Sequence, residues 1–351
     1  MPTPFLRSIV VVAAALALPG LGAAQGVSSE HPTYGPRLEG FEYPFKTEVF
    51  SVAGQRPDAA AAGDSQPLEM VFMDIAPETP NGRTVVLLHG KNFCAATWEA
   101  TIGRLTGAGY RVIAPDQIGF CKSSKPAAYQ FSFQQLAQNT KALLDARGID
   151  KATVVGHSMG GMLATRFALM YPDFTEQLVL VNPIGLEDWK AKGVPYQSIS
   201  AAFEGEQKTS FESIKAYQQK FYYSGQWKPD YDKWVEMSAG MSAGEGGDQV
   251  AWNQALTSDM VFTQPVVHEF GQVKTPTLLI IGTTDKTAPG ANRASKAIAA
   301  SLGDYTKLGK QAAESIPGAK LVEFDDLGHS PQIQDPDRFH KALLDGLNDR
   351  S

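Results

Sequence analysis

The stretch Ala152-Thr-Val-Val-Gly-His-Ser-Met-Gly-Gly161 decides how the rest of the chain is read. Residues 153–155 are a short β-branched run, the mark of a buried strand. Gly156-His157-Ser158-Met159-Gly160 follows at once, and residues 161–170 carry apolar side chains at helical spacing. Strand, G-x-S-x-G and helix in that order predict a nucleophile elbow, a turn too tight for side chains at 156 and 160. Such a turn holds Ser158 proud of the sheet edge and aims the positive end of the new helix at it. The pattern by itself is common, so its partners elsewhere in the chain must carry the reading.

Outward from this turn, strands and helices alternate. Upstream, Thr84-Val-Val-Leu-Leu88 is apolar throughout and ends in His89-Gly90-Lys91-Asn92-Phe93. A helix is expected over 96–108, a strand over 110–115 ending in Asp116-Gln-Ile-Gly119, and a helix over 131–147. Downstream come strands at 177–181, 277–282 and 320–324 and a closing amphipathic helix at 335–347. Strands apolar on both faces belong to parallel sheets, and this rhythm is that of β-α-β units. Two further strands, 47–52 and 68–75, precede them and are expected to pair as a hairpin around a loose loop at 55–66. The expected fold is α/β, a mostly parallel eight-stranded sheet with helices on both faces.

Between 183 and 272 the rhythm breaks. Trp189, Tyr196, Tyr217, Tyr222, Tyr223, Trp227 and Trp234 lie among charges and amphipathic runs, with no strong strand. This stretch reads as a helical cap inserted after strand six. Its aromatics either form the cap's own small core or line a pocket over the serine. The expected organisation is a core over 47–182 and 273–351, a cap over 183–272, and an extended lead-in over 25–46.

The first residues differ in kind. Arg7, the apolar run 9–18 and the small residues Gly22-Ala-Ala24 have the pattern of a secretory signal peptide, cleaved after about residue 24. The apolar run falls short of the ~20 residues that span a bilayer. The expectation is an exported, periplasmic or secreted protein with no stable membrane anchor after cleavage. In 351 residues, 43% are hydrophobic and 19% charged, which excludes a disordered or fibrous chain. The formal charge of −6, without a basic block, argues against a nucleic-acid partner. No H-E-x-x-H or C-x-x-C motif marks a metal, and no G-x-G-x-x-G or P-loop marks a nucleotide, so no cofactor is expected.

Five landmarks now stand in order after five strands: His89-Gly90, Asp116-x-x-Gly119, Gly156-x-Ser158-x-Gly160, Gly282-x-x-Asp285 and Gly328-His329. Together they resemble the α/β-hydrolase fold with an inserted lid, over nearly all the chain from about residue 47. The resemblance implies a serine hydrolase with Ser158 as nucleophile, His329 as base and Asp285 as the acid behind it, the chain order that family uses. The roles have a physical need. A serine hydroxyl at neutral pH needs a base to take its proton, imidazole titrates near neutrality, and a carboxylate fixes its tautomer. Asp325 and Asp326 are rivals close to His329 in sequence, and Glu187 or Asp188 after strand six serves some relatives. The resemblance also implies an oxyanion hole from the backbone N–H groups of Met159 and Lys91. A lysine departs from the apolar or aromatic residue often found at that position. His89 resembles the family's structural histidine.

Cys94 and Cys121 fall in loops after two strands that this fold sets side by side. Relatives tend to have glycine at the second position, which suggests a disulfide pinning the oxyanion loop to its neighbour; two buried free thiols are the alternative. The implied activity is cleavage of an ester-type acyl bond in a small, apolar substrate through an acyl-enzyme. The same triad could instead serve a carbon–carbon hydrolase, lactonase, peptidase or acyltransferase. The fold also serves non-catalytic ligand receptors.

Overall fold

The computed structural model of the chain describes residues 31–55 and 67–349. The signal-peptide reading of 1–24 and most of the 55–66 loop lie outside those residues. Eight strands form one sheet: β1 Thr47–Val52, β2 Leu68–Ile75, β3 Thr84–Leu88, β4 Arg111–Pro115, β5 Ala152–His157, β6 Thr175–Val181, β7 Thr277–Gly282 and β8 Lys320–Phe324. Their order across the sheet is β1-β2-β4-β3-β5-β6-β7-β8. The first two strands pair antiparallel, β2 meets β4 antiparallel, and every later pairing is parallel.

The apolar strands are buried on both sides, and their alternation sorts side chains between two cores. Val86, Leu88, Leu279 and Ile281 join one cluster with Leu136, Leu163 and Leu308. Their neighbours Val85, Leu87, Leu278 and Ile280 join the other with Ile102, Leu343 and Leu347. The helices that supply those residues are α1 Glu99–Gly107, α2 Phe133–Ala146, α3 Met159–Met170, then α9 Tyr305–Ser315 and α11 Pro336–Asn348. Thus α1 and α11 cover one face, and α2, α3 and α9 the other. This is the doubly covered parallel sheet expected from strands without polar faces.

Between β6 and β7 lie α4 Ile199–Glu206, α5 Phe211–Phe221, α6 Asp232–Ala243 and α7 Gly247–Thr263. Short α8 Lys296–Ala300 and α10 Pro331–Gln334 complete the helices. Side chains of α7 strap it to the loop before α2: Gln249 Nε2 donates to the Lys125 carbonyl (2.7 Å) and Trp252 Nε1 to that of Ala127 (2.9 Å). Element ends shift by one to three residues from the sequence reading, as where β6 starts at 175 and α1 at 99, and the largest changes fall at the elbow and before the last helix. The elbow strand reaches from 152 to 157, its helix starts at once with Met159, and an extra turn, α10, precedes the last helix.

Candidate active site

Parallel strands deliver their C-terminal ends to one edge of the sheet, which is where open α/β sheets hold ligands. The segments after β3, β5, β6, β7 and β8 carry Lys91, Ser158, Asn182, Asp285 and His329 to that edge. Ser158 sits at φ 56°, ψ −121°, a conformation costly to a residue with a Cβ. Two glycines make the turn possible. A Cβ on Gly156 would overlap the carbonyl oxygen of Gly160, and a Cβ on Gly160 would overlap that of Leu88 in the neighbouring strand. The Ser158 N–H donates to the Val181 carbonyl (3.2 Å), and its own carbonyl accepts from Gly161 (2.9 Å). The strained residue is held from both sides.

His329 and Asp285 are fully buried, with Nδ1 of the imidazole 2.5 Å from Asp285 Oδ2. The carboxylate is itself fixed: Oδ1 accepts the Thr287 N–H (2.7 Å) and Oδ2 accepts from Asn182 Nδ2 (3.1 Å). Asn182 also brackets Gly282, donating to its carbonyl and accepting from its N–H. An ionised Asp285 accepting at both oxygens leaves Nδ1 as the protonated nitrogen and Nε2 as the acceptor. Nε2 is buried and takes no hydrogen-bond partner among the described residues. The sequence reading did not single out Asn182; its signal was a polar residue directly after a fully buried strand.

None of the other acidic rivals meets His329. Glu187 pairs with Lys192 (2.6 Å) and accepts the Gly303 N–H, Asp188 pairs with His268 (2.8 Å), Asp326 pairs with Arg338, and Asp325 is exposed. His89 donates from Nδ1 to the Gly90 carbonyl (2.9 Å) and accepts the Gln117 N–H at Nε2 (3.0 Å), bracing the loop that follows β3. Burial holds its pKa below the ordinary value. Burial, then the neighbouring His329, pushes His157 lower still; its Nε2 is 2.8 Å from the His329 carbonyl. Both stay neutral, so each can offer one N–H as a fixed donor.

Met159 is the first residue of α3, so its N–H has no partner within the helix. Neither it nor the Lys91 N–H meets an acceptor among the described residues. The Lys91 side chain runs into the cap, where Nζ reaches Glu206 Oε1 (3.0 Å) and Gln254 Oε1 (2.8 Å). Cys94 and Cys121 form a disulfide with Cα atoms 5.8 Å apart, tying this loop to the one after β4. Cys121 has φ 48°, in the left-handed region that favours glycine. Among the described residues one set of side chains could in principle gather a metal: Cys94, Asp116 and Cys121. It does not suit one. Both sulfurs are spent in the disulfide, and Asp116 accepts from the Ala95 N–H, the Lys122 N–H and the Tyr43 hydroxyl.

The cap contributes directly. Tyr222 accepts the His329 N–H on its carbonyl (2.9 Å), and its ring centroid lies 4.4 Å from that of the imidazole. Its hydroxyl accepts from Asn92 Nδ2 (2.9 Å). Nothing in the sequence set Tyr222 apart from the other cap aromatics. Core and cap together line an open cavity of about 670 Å³ that touches Ser158, the disulfide, Phe93, Phe120, Tyr217 and Tyr222. Three charged side chains also line it, Lys91, Glu206 and Arg293, where the sequence reading expected an apolar substrate.

A model of the alpha/beta hydrolase fold matches residues 83–336. A 2-hydroxy-6-oxo-6-phenylhexa-2,4-dienoate hydrolase from Burkholderia cepacia is 30% identical over 274 residues, 76% of this chain and 88% of that one. Among solved structures, a probable hydrolytic enzyme from Pseudomonas aeruginosa is 58% identical, with TM-score 0.87 over 91% of this chain and 99% of its own. An esterase from Exiguobacterium antarcticum is similar in fold, with TM-score 0.64 and 19% identity over 80% of this chain and 96% of its own.

Proposed function

The chain belongs to the alpha/beta hydrolase fold family and is a hydrolase, and on that footing we propose that it cleaves an ester-type acyl bond of a small substrate through an acyl-enzyme on Ser158. One observation carries the reading. His329 Nε2 is buried with no hydrogen-bond partner among the described residues, while Nδ1 is locked on Asp285. An imidazole fixed at one nitrogen and idle at the other suits a base awaiting a proton.

In this reading Ser158 Oγ attacks the substrate carbonyl as His329 Nε2 takes the hydroxyl proton. Asp285, held by Asn182 and the Thr287 N–H, steadies the imidazolium without being protonated. The oxyanion accepts from the Met159 and Lys91 N–H groups, each worth several kcal/mol to the barrier. His329 then returns the proton to the leaving alcohol as the carbon–oxygen bond breaks. Water repeats the sequence on the acyl-enzyme, giving its proton to His329 and releasing the acid and Ser158. The serine and histidine lack a direct hydrogen bond here, a contact that often tightens only with substrate bound.

A second reading is favoured by the Burkholderia relative. Its named substrate holds a ketone and a carboxylate but no ester, so hydrolysis there breaks a carbon–carbon bond. We also read the chain as exported; a disulfide persists in oxidising compartments, and the Cys94–Cys121 bond supports that.

The test is intact mass after treatment with a fluorophosphonate, with Ser158→Ala alongside. The expected result is one adduct on the parent chain and none on the variant. Failure to label well-folded protein overturns the serine-hydrolase reading in favour of a ligand receptor. Turnover of a nitrophenyl ester against that of a hydroxy-oxo-dienoate then separates the two bonds.

A further inference from the structure

The cavity at Ser158 belongs to an acidic chain, yet its own charges sum the other way. Of its three charged lining residues, Lys91 and Glu206 neutralise each other at 3.0 Å. Arg293, after β7, faces no carboxylate among the described residues. Its Nε donates to the Pro195 carbonyl (3.3 Å) and its Nη1 to Gln197 Oε1 (3.0 Å), while the guanidinium lies 5.3 Å from the Phe262 ring centroid. Nη2 has no acceptor among the described residues.

Three features show that the group is built in place rather than loose. The two cap acceptors fix the guanidinium plane, and Phe262 supports it. Gly290 leaves it room, since a Cβ there would lie 2.7 Å from Nη2. Burial alone moves the guanidinium below its ordinary range, with no opposing charge to restore it. A half-buried, oriented cation with a free N–H at the wall of a cavity recovers its desolvation only when an anion arrives. Gln197 also lines the cavity, and its amide NH2 remains available because its oxygen is the atom bound to Arg293.

We propose that Arg293, with Gln197, forms a carboxylate-recognising subsite, and that the substrates are small esters bearing a free carboxylate away from the cleaved bond. The inference rests on the reading of Ser158 as the reacting centre. One guanidinium edge and one amide match a singly charged, planar carboxylate. The apolar lining of the same cavity, with Phe93, Phe120 and the disulfide, takes the apolar part of the substrate.

Binding to the full-length Ser158→Ala protein tests this without turnover. Calorimetry compares monomethyl glutarate, a monoanion, with dimethyl glutarate, its neutral counterpart. The monoanion should bind about ten- to a hundredfold more tightly, as one charge-assisted pair requires, and lose that margin as salt is raised. Adding Arg293→Met should remove the margin and leave dimethyl glutarate within about twofold, while Arg293→Lys keeps part of it. Equal affinities for the two esters, no binding of the monoanion, or equal loss of both in Arg293→Met would overturn the proposal; the last would make Arg293 only a tether for the cap. Thermal melting of each variant separates loss of fold from loss of recognition. A parent chain that takes the fluorophosphonate but shows no preference for the monoanion sinks this inference alone. Arg293-dependent binding without labelling sinks the serine mechanism alone.

Discussion

The elbow and the cap helix α4 both line one cavity and are held by different means. At the elbow, backbone packs on backbone: Gly156 against Gly160, Gly160 against Leu88, and Gly282 against the carbonyl of Gly328 in the His329 loop. Most of α3 is buried. By contrast α4 buries no residue fully, and side chains hold it, through Lys91 to Glu206, Gln207 to Asp248, and the Phe203 ring against Trp252. Close packing tolerates no added atom, whereas a polar tether can be lost and replaced by water. The strand ends that carry Ser158, Asp285 and His329 are therefore set by steric exclusion, and the cavity wall formed by α4 by contacts of modest worth.

A pair of identical substitutions makes the sharpest test of this contrast. Gly160→Ala drives a methyl into the Leu88 carbonyl, where no flexible side chain can yield, and should cost about 3 kcal/mol or more. Gly205→Ala, inside α4, meets nothing within 4 Å and should stabilise by up to about 1 kcal/mol through helix propensity. Denaturant unfolding of both measures the difference. Equal effects would break the comparison.

The same contrast explains what could be read from the chain alone. Each strand end carries a short motif whose residue types are demanded locally, such as glycines at 156 and 160 or an acid three residues past Gly282. The doubly apolar strands likewise announce a sheet covered on both faces. Cap residues carry no such local demand. Tyr222 meets His329, and Lys91 meets Glu206 115 positions away, only because the cap folds back over the sheet. One aromatic among many, or one lysine after His-Gly, has no periodicity that reveals its partner. Asn182 lies between these cases, since its place after β6 was visible but its bonds to Gly282 and Asp285 were not.

The disulfide joins the two modes, being a covalent tie in a loop that side chains would otherwise hold. It closes 27 residues, so replacing both cysteines by alanine should cost about 3–4 kcal/mol by loop entropy. Removing it also frees the segment after Gly90 that carries the Lys91 N–H. Under the proposed mechanism, kcat should fall while KM changes little, because the oxyanion forms only in the transition state. Unfolding curves and ester kinetics before and after reduction check both parts. A stability loss with kcat unchanged would mean that His89 and the strand end alone hold the loop.

The smallest effect belongs to the Lys91–Glu206 pair, and it asks whether a tether on the cap reaches the chemistry. Both side chains are mostly covered, 18% and 26% exposed, so the pair should be worth more than a surface ion pair, about 1 kcal/mol. Lys91→Met keeps the backbone N–H in place while releasing α4 from the core. If the cap only encloses substrate, Lys91→Met and Glu206→Gln should each raise KM by about two- to fivefold and leave kcat near its starting value. Their combination should then cost no more than either alone, since both remove one contact. A fall in kcat confined to Lys91→Met would instead show that the side chain aims its own backbone N–H. Steric packing would then no longer suffice to set the site, because a polar link to the cap would be part of what positions the oxyanion donor.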